Sequence, residues 1–119
     1  MSDLVISVSQ SDGKVPVTVM HVSGDIDANS HQELDAKAAE IIAGGAKHIL
    51  LDLAQNTYMS SAGFRSMHKI YTALQADDSS GSGLRLLKPS AEVKRLMEAM
   101  GFDEYIPTHD DINEAVNAF

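Results

Sequence analysis

The chain has 119 residues, a formal net charge of −8 and no cysteine. That length fits one domain, which buries roughly two-thirds of its unfolded surface and needs no covalent staples; the missing thiols exclude disulfides, thiolate catalysis and Cys-ligated zinc or iron–sulfur sites. With a pI near 4.8 the surface is poorly suited to nucleic-acid phosphates or an anionic membrane, so neither is expected as a partner, whereas a basic protein surface is compatible.

Met1-Ser2-Asp3-Leu4 has no basic stretch followed by an apolar core, and no run approaches the roughly 18 apolar residues of a membrane span. A cytoplasmic protein is expected. Leu4 to Ser9 alternates, with Leu4, Ile6 and Val8 one way and Val5, Ser7 and Ser9 the other, and Val15 to Val22 repeats the β-rich pattern after Ser11-Asp12-Gly13. This predicts a β-hairpin. Ser30 to Glu33 spells a capping box, and Leu34, Ala38, Ile41 and Ile42 recur at helical spacing up to Gly44-Gly45, so a helix is predicted over about 30–43. His48 to Leu53 reads as an apolar strand and Ser61 to Leu74 as a helix whose Phe64, Met67, Ile70, Tyr71 and Leu74 form one stripe. Asp77 to Gly83 has the composition of a surface loop. Leu84 to Leu87 is a short strand, and Pro89-Ser90 opens a third helix with Val93, Leu96, Met97 and Met100 inward and Gly101 at its end. A last short strand is predicted at Tyr105-Ile106, and a terminal helix over Asp110 to Phe119 through Ile112, Ala115, Val116 and Phe119.

The order β-β-α-β-α-β-α-β-α implies a single α/β domain with a mixed sheet covered by about four helices, antiparallel at the hairpin and parallel where strands are joined through helices. Between the apolar strand and the second helix stands Tyr58-Met59-Ser60-Ser61-Ala62-Gly63-Phe64. It sets two hydroxyls at a helix N-terminus, where backbone N–H groups lack partners and the macrodipole is positive. A serine there either caps the helix, worth about 1 kcal/mol, or carries a phosphate in a favourable field.

This segment resembles the phosphorylation loop of the STAS domain in bacterial anti-sigma factor antagonists, whose usual form is Asp-Ser-Ser-Gly-Leu. Gly24-Asp25-Ile26-Asp27 resembles the family's Gly-Glu-Leu-Asp segment, Leu50-Leu51-Asp52-Leu53 its central strand, Val93-Lys94-Arg95-Leu96 with Gly101-Phe102 its third helix and cap, and Asn113-Glu114-Ala115-Val116 its terminal Glu-Glu-Ala-Leu. The resemblance implies a STAS fold and makes Ser61 the phosphoacceptor, with Ser60, standing where the family has Asp, as the alternative; Ala62 replaces the second serine. It also implies a partner-binding surface of Asp25, Asp27, Ser60, Ala62 and Gly63. The partners implied are an anti-sigma factor that is also a serine kinase, bound when Ser61 is unmodified and released when it is phosphorylated, and a serine phosphatase that resets the switch. A non-switching scaffold or accessory subunit of a sensory or lipid-transport complex is the other role implied.

No enzyme is indicated, because Gly-x-Ser-x-Gly and phosphate-cradling glycine motifs are missing from the sequence. No metal or other cofactor is expected. Asp25-Ile26-Asp27-Ala28-Asn29 starts like a calcium loop but has Ser30 where Gly is needed and Ala36 where a bidentate Glu is needed. His21, His31, His48, His68 and His109 show no metal-ligand spacing. A Ser–His–Asp group assembled across the fold is beyond the reach of sequence pattern.

Overall fold

The two alternating segments at the start pair as an antiparallel hairpin, β1 (Val5–Asp12) and β2 (Pro16–Ser23). The structure, a computed structural model, describes residues 4–77 and 83–119; of the loop predicted over Asp77 to Gly83, residues 78–82 lie outside the described residues, and Asp77 is instead the last residue of a helix. The chain continues through α1 (His31–Ala43), β3 (Ile49–Gln55), α2 (Ser61–Asp77), β4 (Leu84–Leu87), α3 (Ala91–Met100), β5 (Thr108–His109) and α4 (Ile112–Asn117). The sheet order is β1-β2-β3-β4-β5, and every pairing after the hairpin is parallel. Each parallel step is bridged by a helix, as the expected mixed sheet requires.

Strand alternation divides the side chains between two unequal layers. Met20, Val22, Ile49, Leu51, Leu53, Leu84 and Leu86 meet Leu34 and Ala38 of α1, the Phe64–Leu74 stripe of α2, and Val93 and Met97 of α3 in the larger core. On the opposite face Val17, Val19, Leu50 and Leu87 pack under Ala115 and Val116 of α4. One short helix cannot cover a five-stranded face, and the neighbouring positions His21 and Asp52 stay partly open. Among the described residues no helix is long and apolar enough to cross a membrane.

The C-terminal third corrects the predicted elements. Tyr105-Ile106 is not a strand: a 3₁₀ turn at Phe102–Glu104 precedes it, Ile106 N–H donates to the Phe102 carbonyl (2.9 Å), and the strand is Thr108–His109. The cause is Gly101, left-handed at φ 78°, whose N–H closes on the Met97 and Glu98 carbonyls and turns Phe102 back toward the helix it has just left. Phe102 and Tyr105 then join Tyr71 and His68 in an aromatic cluster, with Tyr71 and Tyr105 ring centroids 4.7 Å apart. Those rings hold residues 102–106 in a turn, so β pairing with β4 is delayed until Thr108. Met100, expected inward, is 47 % exposed, because apolar contact at this end of α3 comes from Phe102 beyond the cap.

Candidate functional site

Two loops at the C-terminal ends of neighbouring parallel strands meet side by side: residues 24–30 after β2 and residues 56–60 after β3. Backbone bonds join them. Ile26 N–H donates to the Tyr58 carbonyl (2.9 Å), Ser60 N–H donates to the Ile26 carbonyl (2.8 Å), and Ile26 pairs with Met59 as an isolated parallel bridge. Asn56 supplies the side-chain staple. Only 4 % exposed, its Nδ2 donates both to the Gly24 carbonyl (2.7 Å) and to the Tyr58 carbonyl (2.9 Å). Thr57 Oγ1 donates to Asp25 Oδ1 (2.6 Å), tying one of the expected acidic residues to the serine-bearing loop.

Asp27 has a different duty. Its carboxylate accepts from the Asn29 N–H (2.9 Å) and the Ser30 N–H (3.1 Å) ahead of α1, forming an Asx turn that leads into the helix. The predicted Ser30–Glu33 capping box is therefore not formed. Ser30 is buried, and its hydroxyl accepts from the Asp27 N–H (2.9 Å) and donates to the Asp25 carbonyl (2.8 Å) instead of capping. The Asn29 N–H is the main cause holding the Asp27 carboxyl below the ordinary Asp range, with Ser30 and His31 adding to it against some desolvation.

The serines divide their tasks at the start of α2. Ser60 is the N-cap: its hydroxyl accepts from the Ala62 N–H (3.2 Å) and its carbonyl from the Phe64 N–H (3.2 Å). Ser61, the first helical residue, is exposed, and its hydroxyl has no hydrogen-bond partner among the described residues. The structure thus brings Asp25, Asp27, Ser60 and Ser61 into one loop pair. Ala62 and Gly63, expected to touch a partner, are instead buried. A Cβ on Gly63 would collide with Met59 Cγ and lie 2.9 Å from Ile26 Cγ2, so glycine here lets α2 sit against the neighbouring loop. These two residues shape the surface without forming it.

Asn56, Thr57 and Tyr58 were not singled out by sequence reasoning. An Asn-Thr pair directly after an apolar strand signals a turn, but the two carbonyls that Asn56 reaches lie on different loops. Tyr58 is 49 % exposed; a large amphipathic ring beside an exposed hydroxyl is the residue type that anchors protein interfaces.

The sequence profile of the STAS domain matches residues 7–115. Among solved structures, an anti-sigma factor antagonist from Mycobacterium paratuberculosis superposes with a TM-score of 0.83 at 21 % identity, covering 99 % of this chain and 97 % of that one. The anti-sigma factor antagonist SpoIIAA in its unphosphorylated form gives 0.69 at 18 % identity, covering 93 % of each chain. The Bacillus cell-fate determinant SpoIIAA in its phosphorylated form gives 0.72 at 17 % identity, covering 96 % of this chain and 98 % of that one. At these identities the structures establish a shared fold, and the profile match across nearly the whole sequence establishes the family: the chain belongs to the STAS domain family.

Proposed function

We propose that this protein is an anti-sigma factor antagonist of the bacterial cytoplasm, a binding module regulating transcription whose switch is phosphorylation of Ser61. The observation that carries the reading is the division of labour at α2. Ser60 uses its hydroxyl to cap the helix, and Ser61 beside it offers an exposed, uncommitted hydroxyl in the positive field of the helix end. The fold shared with SpoIIAA, a protein solved in a phosphorylated form, supports it.

The anti-sigma factor partner supplies the chemistry. Its base takes the Ser61 proton, the γ-phosphoryl group of its Mg²⁺-bound ATP moves to Ser61 Oγ, and ADP leaves. The new group brings about −1.5 to −2 charges to a loop pair that already presents Asp25. Where Tyr58 and the N-terminal turn of α2 dock closely on the partner, the phosphate on Ser61 has to be accommodated and stripped of water in a loop pair that already holds the Asp25 carboxylate, so the added group opposes that docking. A clash of roughly 3–4 kcal/mol weakens binding several-hundred-fold, enough to open the complex. A serine phosphatase restores the binding form.

The test is incubation with an anti-sigma factor serine kinase from the same genome and ATP, followed by mass-spectrometric site mapping and a binding measurement. Phosphate on Ser61, lost in Ser61→Ala but not in Ser60→Ala, is the expected result. Phosphate on Ser60 or within Ser79–Ser82 refutes the assignment. A complex that forms with no phosphate on any serine is the result expected of a non-switching scaffold.

A further inference from the structure

The sheet face that α4 leaves open carries a second group of chemistry-bearing side chains, set there by register. His21 on β2 stands opposite Ser7 on β1 and opposite Asp52 on β3, and Ser9 projects from the same face as Ser7 one step along β1. The contacts form a relay. Ser9 Oγ lies 2.8 Å from His21 Nε2, and His21 Nδ1 lies 2.8 Å from Asp52 Oδ2. The other Asp52 oxygen accepts from the Ala54 N–H at 3.0 Å, so the carboxylate is fixed at both oxygens, and its side chain is only 18 % exposed.

An ionised carboxylate only accepts, so in the neutral imidazole the proton sits on Nδ1 and faces Asp52. Nε2 then carries the lone pair and accepts the Ser9 hydroxyl proton. Nucleophile, base and orienting carboxylate in that sequence of contacts constitute the arrangement that activates a serine for acyl transfer, and it is recognised by geometry, independent of chain order. Beside His21 lies a hollow of about 80 Å³ whose lining includes Ser7, Ser23 and Gln55. Ser9 itself does not line that hollow, so an acyl group on Ser9 Oγ lies on the open face of the sheet.

We propose that Ser9, His21 and Asp52 form an acyl-transfer site for esters with good leaving groups. Ser9 Oγ attacks the acyl carbon while its proton passes to His21 Nε2; the bond from carbon to the leaving oxygen breaks, and the alcohol departs with that proton. Water then attacks the acyl-serine, giving a proton to Nε2. The carboxylic acid leaves and Ser9 recovers its hydrogen from Nε2. Ser9 and His21 are the catalytic residues, and Asp52 is a positioning residue. The face is open on its solvent side, so the site is expected to be unselective.

The experiment uses the full chain with p-nitrophenyl acetate, read by release of nitrophenolate and by mass-spectrometric mapping of the acetyl group under rapid quench. General-base activation contributes on the order of 10²-fold or more, so Ser9→Ala and His21→Ala should each lower protein-dependent hydrolysis by at least about tenfold, with the acetyl group found on Ser9. For Asp52→Asn the readout is the His21 tautomer by nitrogen NMR: the Nδ1–H form in the parent should shift to Nε2–H, with activity falling alongside. Melting curves of all three variants check folding, and Ser9→Cys, which keeps a nucleophile at the same atom, should still take an acetyl group. Hydrolysis unchanged in Ser9→Ala, or acetyl groups only on lysines or the terminal amine, overturns the proposal. A His21 tautomer that ignores Asp52→Asn overturns the positioning role.

Discussion

Replacing Gly63 by alanine tests whether the close approach of α2 to the neighbouring loop sets the position of Ser61. In a helix interior the change from Gly to Ala stabilises by about 1 kcal/mol, and in the first turn by less. Here the added methyl would overlap Met59 Cγ and lie 2.9 Å from Ile26 Cγ2 and 3.3 Å from Ile26 Cβ, against about 3.5–4.0 Å for carbon atoms in ordinary contact. Ile26 is fully buried, and its backbone is bonded to Tyr58 and Ser60 on both sides, so it cannot withdraw without pulling the serine loop with it. Overpacking of this kind costs about 1–3 kcal/mol. The net expectation is a loss of about 1–2 kcal/mol, or a melting temperature about 4–8 °C lower for a chain of this size. Urea and thermal unfolding followed by circular dichroism measure it directly. Met59→Ala supplies the internal check, because truncating the obstructing side chain should cost about 1 kcal/mol less in the Gly63→Ala background than alone, the signature of two residues in contact. A Gly63→Ala protein as stable as its parent, or strictly additive losses in the double variant, would refute the account.

Asn56→Ala should cost about 2–4 kcal/mol, since two loop carbonyls lose their donor in a buried setting; the Ile26 and Ser60 amides should exchange faster with solvent, and unchanged exchange would deny Asn56 its stapling role. Ser60→Ala should lower stability by about 1 kcal/mol through loss of the N-cap, whereas Ser61→Ala should stay within about 0.5 kcal/mol; denaturant unfolding that reverses this order would show the two hydroxyls exchanged in role. Asp27 is held below the ordinary Asp range mainly by the Asn29 N–H, so its contribution is fully present above the unfolded-state value, about 3.9, and is lost as pH falls through the lower folded-state value. Asp27→Asn keeps an acceptor but removes the charge and should flatten that part of the acid-unfolding curve, which parallel curves for the two proteins would contradict.

Much of this fold is written in local pattern. The helical period of Phe64, Met67, Ile70, Tyr71 and Leu74 needs no distant information, because whichever surface α2 meets must be met by that stripe. The hairpin, the α/β order and the serine loop are legible for the same reason. Residues 102–109 are not, because a two-residue strand carries no periodicity and its place depends on aromatic rings of α2 that hold Tyr105 out of the sheet. The capping box at Ser30 failed for a related cause: its hydroxyl was drawn into the preceding loop, and Asp27 took over the turn into α1.

Outside residues 102–109, the sequence by itself determined which segments are helices and strands, their order, and that one serine pair opens α2, since these follow from spacing along the chain. Tertiary structure alone decided which serine keeps a free hydroxyl, that Asn56 joins two loops, and that Ser9, His21 and Asp52 touch. Those contacts span separations of 12 and 31 residues, and they are fixed by strand register, in which a one-residue slip would send each side chain to the other face.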